Sequence, residues 1–133
     1  MKALSQYLLL SAGLLMFTNL FAVQPQTASD PLPKIALAIQ AGNANALAAY
    51  FDAQVEITLA NGEGTVYSKA QAEFVFRDFF RQHPPSEFNI IHQGSSKGGQ
   101  PFAIGQYKSD GETYRVFMKI KTVNRQQLLH EIS

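Results

Sequence analysis

The chain has few side chains that could perform acid–base chemistry near neutral pH. It contains three histidines, His83, His92 and His130, and no cysteine, which excludes disulfides, thiolate nucleophiles and thiolate zinc sites. The histidines are far apart in sequence and form no helical pair of the kind that binds a metal, so we expect no metal and no cofactor. A pocket histidine can act as an acid or a base. His92 and His130, on predicted late strands, are therefore the candidate catalytic residues.

Tyrosines could line a binding cavity, because an aromatic side chain combines a large apolar surface with a polar tip. The predicted cavity residues are Tyr50, Tyr67, Tyr107, Tyr114, Met118 and His130. For Tyr107 and Tyr114, simple packing across two neighbouring strands is the alternative interpretation. The sequence contains no phosphate-binding loop and no G-x-S-x-G nucleophile motif.

The composition is that of a globular protein without a strong charge preference. Apolar residues make up 46% and charged residues 16%, and the formal net charge is +1. Nucleic-acid-binding proteins usually gather a basic excess on one face, so no nucleic-acid partner is expected.

The first residues have the pattern of a secretory signal. Lys2 precedes an uncharged, leucine-rich stretch over residues 7–21, and the small residue Ala22 follows. We predict cleavage near Ala22, with Ala28 as the alternative, and a periplasmic or secreted product. The apolar stretch is shorter than the roughly 20 residues of a spanning helix, which argues against a retained membrane anchor. We predict a signal peptide, a linker and one domain, over residues 1–22, 23–31 and 32–133.

The elements that must position these residues follow one another in a clear order. Asp30 and Pro31 predict the start of the first of two short helices, and a hairpin follows. Ser68 and Gln71 form a capping box before a phenylalanine-rich helix, which residues 83–85, His-Pro-Pro, bring to an end. A four-stranded meander completes the chain and stops inside a predicted strand, which suggests that a few residues are missing after it. This order indicates an α+β fold.

The two-residue turn at 110–111, Asp-Gly, fixes the register of one hairpin. It pairs Tyr107 with Tyr114 and Ala103 with Met118, on a face that suits packing under the helices. The opposite face carries an apolar group with a basic rim, formed by Phe102, Ile104, Arg115, Phe117 and Lys119. A contiguous apolar patch with such a rim is typical of an association surface. We therefore predict a homodimer, with cover by the linker as the alternative.

The last turn allows two registers. A two-residue turn at 124–125 places Glu131 beside Met118 on the helix-covered face. A three-residue turn over 123–125 instead places three residues there: Leu128, His130 and Ile132. The second register buries more apolar surface and is preferred.

Two segments resemble a known superfamily. Residues 41–56, AGNANALAAYFDAQVE, and residues 67–80, beginning YSKAQAEF and ending FF, resemble the nuclear transport factor 2-like superfamily, also called ketosteroid-isomerase-like. Within it, residues 32–133 look most like an uncharacterised secreted Bacteroidetes family, domain of unknown function 4783. The resemblance implies a cone-shaped, curved antiparallel sheet with helices packed on its concave face over a cavity. In the isomerases a carboxylate base follows a Val-Glu pair, but here Ile57 follows Val55 and Glu56.

An aliphatic side chain cannot accept a proton. The predicted function is therefore a non-catalytic exported module that binds a small apolar ligand or a protein partner as a homodimer. The alternative is a cofactor-free lyase or isomerase, which requires a cavity histidine, His92 or His130, within hydrogen-bond reach of a tyrosine. A structural protein of the cell envelope would fit export equally well.

Overall fold

The computed structural model describes residues 29–60 and 62–133. The predicted signal peptide and residues 23–28 of the predicted linker lie outside the described residues. Among the helices of the described part, none is both long enough and apolar enough to cross a membrane.

Three helices precede the meander, and each has a side-chain hydrogen bond at its start. They are α1 (Leu32–Gln40), α2 (Ala44–Ala48) and α3 (Lys69–Gln82). The Asp30 carboxylate accepts the N–H of Leu32 at 3.0 Å, and Asn43 caps α2. Ser68 and Gln71 form the predicted capping box of α3, with both reciprocal hydrogen bonds present. The predicted helix starts are therefore confirmed.

Six strands form one curled half-barrel, with the helices on its concave face. They are β1 (Phe51–Ile57), β2 (Thr65–Ser68), β3 (Glu87–Ser95), β4 (Pro101–Ser109), β5 (Glu112–Val123) and β6 (Gln126–Ile132). The order across the sheet is β2-β1-β6-β5-β4-β3. Neighbours are antiparallel except β1 and β6, which run parallel. The predicted α+β class is confirmed.

The hairpin register predicted from the Asp-Gly turn is confirmed. Tyr107 lies opposite Tyr114 and Ala103 opposite Met118, and Ala103 and Met118 are fully buried under the helices. Gly105, on the same face, gives room to the ring of Phe88, because a Cβ at residue 105 would lie 2.5 Å from that ring.

The preferred three-residue turn before β6 is wrong. Asn124 and Arg125 form a two-residue turn, with φ angles of 48° and 67°. His130 is then the extra residue of a β-bulge, which shifts the register between the pairs at Leu129 and Glu131. Because of the shift, Leu129 and Ile132 both reach the core and Leu128 does not.

Candidate functional site

A cavity of about 260 Å³ lies between α3 and the concave face of the sheet and opens to solvent on one side. The residues that line it are Ile39, Thr58, Leu59, Ala60, Phe76, Phe79, Phe80, Tyr107, Tyr114, Arg115, Val116, Ile132 and Ser133. Most of this wall is aliphatic or aromatic, so the cavity suits an apolar group.

The strands around the cavity have different extents in the described structure. β6 ends at Ile132, and Ser133 exchanges two backbone hydrogen bonds with Phe117. β5 extends further, to Glu112, while on the other side the chain leaves β1 after Ile57. The lining of the cavity therefore includes residues of β5 and the segment 58–60.

Aromatic rings from α3, β4 and β5 form the inner wall. The Tyr107 ring is at the centre, with centroids 5.5 Å from Phe79, 6.3 Å from Phe80 and 6.2 Å from Tyr114. Phe76 extends the cluster, at 5.9 Å from Phe80. Such ring pairs contribute about 0.5–1.5 kcal/mol each beyond their buried area, so the wall has a well-defined shape.

The Tyr107 hydroxyl is already engaged. It donates a hydrogen bond to the backbone carbonyl of His83, the residue at the C-terminal end of α3. Burial, and secondarily the charge of Tyr114, raises the pKa of Tyr107 to about 12. Near neutral pH the hydroxyl therefore stays protonated, with its proton in the hydrogen bond to His83.

The Tyr114 hydroxyl is engaged as well, at the edge of the cavity. It donates to the Glu112 carboxylate at 2.9 Å, and this bond is the main reason that the pKa of Tyr114 is raised. The ring of His83 packs edge-on against Tyr114, with centroids 5.8 Å apart. His83 is thus the histidine beside the cavity wall, although the sequence reasoning assigned it only to the end of α3.

The other predicted cavity residues lie elsewhere in the described structure. Tyr50 lines a separate groove between α1 and α2, and Tyr67 packs against the core from β2. Met118 is completely buried and does not contribute to the lining.

The two candidate catalytic histidines do not meet at this cavity. His130 Nδ1 lies 3.7 Å from a carboxylate oxygen of Asp52, at the β-bulge, and lines a depression next to Gly98 and Gly99. His92 packs against Phe102, with ring centroids 5.8 Å apart, on the opposite face of the sheet. A β-bulge accounts for each location. The bulge in β3 lies immediately before His92, and the bulge in β6 is at His130.

Sequence reasoning missed several lining residues. Val116 could have been found from the confirmed register, because it shares a face with Tyr114. Phe79 also lines the cavity, and its position on the phenylalanine-rich helix gave a partial signal. The segment 58–60 also lines the cavity, and no local pattern marks it.

The predicted association surface lies on the convex face of the sheet. Phe102 and Phe117 pack with ring centroids 5.8 Å apart, and both remain partly exposed, as does Ile104. The Lys119 ammonium lies 5.8 Å from the Phe117 ring centre and pairs with Glu131 at 3.1 Å. Arg115, at the edge of this group, is exposed.

The described residues contain no grouping of three or more histidine, aspartate or glutamate side chains arranged to hold a metal ion.

Comparison with known proteins gives a family match and similar structures. The family described as domain of unknown function DUF4783 matches residues 32–133. A DUF4783 family protein from Bacteroides ovatus is 27% identical, with 81% of this chain and 94% of that chain covered and a TM-score of 0.70. One from Bacteroides uniformis is 25% identical, with 77% and 94% covered and a TM-score of 0.70.

An NTF2-like protein of unknown function from Shewanella baltica shares the fold at 13% identity, with 76% and 83% covered and a TM-score of 0.57. No curated protein matches the chain.

Proposed function

The chain belongs to the family described as domain of unknown function DUF4783, and from that premise we propose that it is a non-catalytic module that binds a small apolar ligand. The ligand occupies the cavity under α3. The fold is shared with NTF2-like proteins, but a fold alone does not select a function. The proposal therefore depends on the chemistry of the cavity.

One observation carries the proposal: the cavity wall is apolar, and the hydroxyls of its two tyrosines are both used in internal hydrogen bonds. General acid–base catalysis needs a titratable group in contact with the reacting atoms. His92 and His130 do not line this cavity. The geometry favours retention of a ligand over its conversion, and so favours binding over the lyase or isomerase alternative.

Titration with the apolar fluorescent probe anilinonaphthalene sulfonate tests the proposal. Val116→Trp places an indole in the cavity, and we expect it to abolish most of the probe's fluorescence increase. Val66→Trp is the matched control, because Val66 is 59% exposed on β2 and lies outside the lining. Equal binding by both variants, with unchanged circular dichroism, would contradict the proposal. Native mass spectrometry of protein from its own host would reveal a retained ligand.

We further propose that the module is a homodimer joined through the convex face. Phe102, Ile104 and Phe117 form a contiguous apolar group, with Arg115 and Lys119 at its rim. Burial of such a group against a second copy would remove its apolar surface from water. Sedimentation that shows only monomer at micromolar concentration would reject this assembly.

Export is the remaining part of the proposal, and the sequence before residue 29 supports it. The charged start, the apolar stretch and the small residue Ala22 form a signal pattern. Mass measurement of the protein from a host periplasm or medium should give a product that starts close after Ala22. A product that retains Met1 would reject export by this signal.

A further inference from the structure

A histidine–aspartate pair lies outside the cavity, at the β-bulge of β6. His130 Nδ1 is 3.7 Å from Asp52 Oδ2, and the Asp52 side chain is only 15% exposed. The other carboxylate oxygen, Oδ1, accepts the N–H of Ala53 at 2.7 Å, which holds the carboxylate in place beside the ring. A carboxylate at Nδ1 favours a proton on that nitrogen and so determines what Nε2 presents to a ligand.

The two nitrogens of the His130 ring differ in their access to solvent. Nδ1 is buried and has no hydrogen-bond partner among the described residues, whereas 41% of the side chain is exposed. The exposed part of the ring is therefore its Nε2 end. His130 lines the depression beside the β3–β4 turn, so Asp52 supports the imidazole from behind while Nε2 faces the depression.

The depression combines open space with a free positive charge. Gly98 and Gly99 of the turn line it together with Lys121 of β5. A Cβ added at either glycine would have no atom within 4 Å, so the turn leaves room for a bound group. Lys121 is exposed, and no carboxylate of the described residues pairs with it.

Lys121 and His130 lie on the same face of the sheet. Alternate residues of a strand share a face, so Lys121 projects to the side of Lys119, whose ammonium pairs with Glu131 at 3.1 Å. That pair also occupies the acidic residue next to His130. Since Asp52 faces Nδ1, its charge balances the imidazolium that forms when His130 is protonated, and the Lys121 ammonium is left as a net positive charge.

We propose that this depression binds a small oxyanion, the phosphate or carboxylate group of a ligand. The Nε2–H of protonated His130 and the Lys121 ammonium donate to its oxygens. Hydrogen bonds between ionised groups are stronger than neutral ones. The site is separate from the cavity under α3, because no residue lines both. It is therefore a second binding site and does not depend on the proposed function.

Titration of the nitrogen-15-labelled protein with inorganic phosphate, followed by NMR at about pH 6, where histidine is charged in large part, tests the proposal. We expect saturable shifts of the His130 imidazole signals and of the Gly98 and Gly99 amide signals, with one shared midpoint in the roughly millimolar range. The imidazole signals of His92 should not follow this curve. Shifts without saturation, or equal shifts with sodium chloride at the same ionic strength, would overturn the proposal.

Two charge-removing variants locate the site. Lys121→Gln should weaken phosphate binding roughly tenfold, read from the Gly98 and Gly99 amides. Lys69→Gln is the matched control, because Lys69 is exposed on α3 and lies outside the depression; its affinity should stay within about twofold of the unaltered protein. Equal affinity of the two variants would overturn the assignment.

A second pair of variants tests the imidazole. His130→Gln should also weaken phosphate binding roughly tenfold, whereas His92→Gln, at an exposed position outside the depression, should leave it unchanged. If His130→Gln fails to fold, the titration of the unaltered protein still decides, because it needs no variant. An unchanged affinity in folded His130→Gln would overturn the role of Nε2.

A parallel titration with sodium acetate distinguishes the two sources of the oxyanion. Saturable binding of phosphate or of acetate supports the site, and the lower midpoint identifies the group that it prefers. If neither anion binds, the inference fails. The proposed function is unaffected by that result, because the titration reports on residues that do not line the cavity.

Discussion

Replacement of Tyr107 by phenylalanine removes a single hydroxyl from the centre of the aromatic cluster. Tyr107 is 1% exposed, and its hydroxyl donates to the carbonyl of His83 at the end of α3. The bond joins β4 to the helix that covers the cavity. Tyr107→Phe keeps the ring contacts but leaves that carbonyl without this donor, so its whole effect should come from one partly buried hydrogen bond.

The expected loss of unfolding free energy is about 1 kcal/mol, the typical net contribution of one hydrogen bond, because this bond is only partly buried. For domains of about 100 residues, each kcal/mol lowers the melting temperature by roughly 4–8 °C. Urea unfolding followed by circular dichroism would give the free energy, and a thermal scan would give the melting temperature.

Tyr114→Phe is the matched control, since it removes the same atom from the residue directly opposite Tyr107. The Tyr114 hydroxyl bonds the exposed side chain of Glu112, so we expect a change within about 0.5 kcal/mol. Equal losses in the two variants would refute the reasoning, because burial of the hydrogen bond would then not decide its contribution.

The pKa of Tyr107 adds a dependence on pH with a definite sign. Burial raises that pKa to about 12, whereas an unfolded tyrosine titrates near 10. Between these values the unfolded chain releases the proton first, so stability from Tyr107 is complete below about pH 10 and is lost as the pH rises towards 12. Tyr107→Phe should flatten the fall in the urea midpoint between about pH 10 and pH 12. An unchanged slope would contradict this assignment.

Three further changes test the fold and the proposed assembly. Gly105→Ala should destabilise the domain by about 1–3 kcal/mol in urea unfolding, because the added Cβ would meet the Phe88 ring at 2.5 Å; a neutral effect would show that the ring has space to move. Ser68→Ala removes the α3 cap and should cost about 1 kcal/mol, and no loss would contradict a stabilising role for the capping box. Phe117→Asp should convert the proposed dimer to a monomer in sedimentation, whereas Phe74→Asp, at a site 65% exposed on α3, should not; equal behaviour would place the interface elsewhere.

Local signals predicted the parts of the fold that local chemistry controls. The capping box at Ser68 and the turn at 110–111 act over a few residues, and each specified its element without reference to the rest of the chain. The confirmed register then assigned Tyr107 to the concave face. Those same rules gave no basis for placing β6 next to β1, because that parallel pair joins residues far apart in sequence.

The bulge at His130 explains why the predicted turn before β6 was wrong although one of the predicted inward-facing residues, Ile132, is buried. Strict alternation in a strand allows only one set of alternate residues to face inward, and neither set of β6 contains both Leu129 and Ile132. The three-residue turn is favoured by the sequence because it places more apolar surface inward, through Leu128 and Ile132. The structure instead brings Leu129 and Ile132 inward with a two-residue turn and one extra residue, and both of these side chains are buried.

The location of the cavity depends on this long-range pairing. β6 reaches the sheet centre beside β1, and the two strands end together at Ile57 and Ile132. Next to this pair, Tyr114 and Val116 of β5 line the cavity together with the segment 58–60. Without the bulge, His130 would lie in the regular ladder, and Leu129 and Ile132 could not both face the core. The aromatic wall is therefore set largely by local sequence patterns, whereas the place of the cavity in the sheet depends on the pairing of two strands that are distant in sequence.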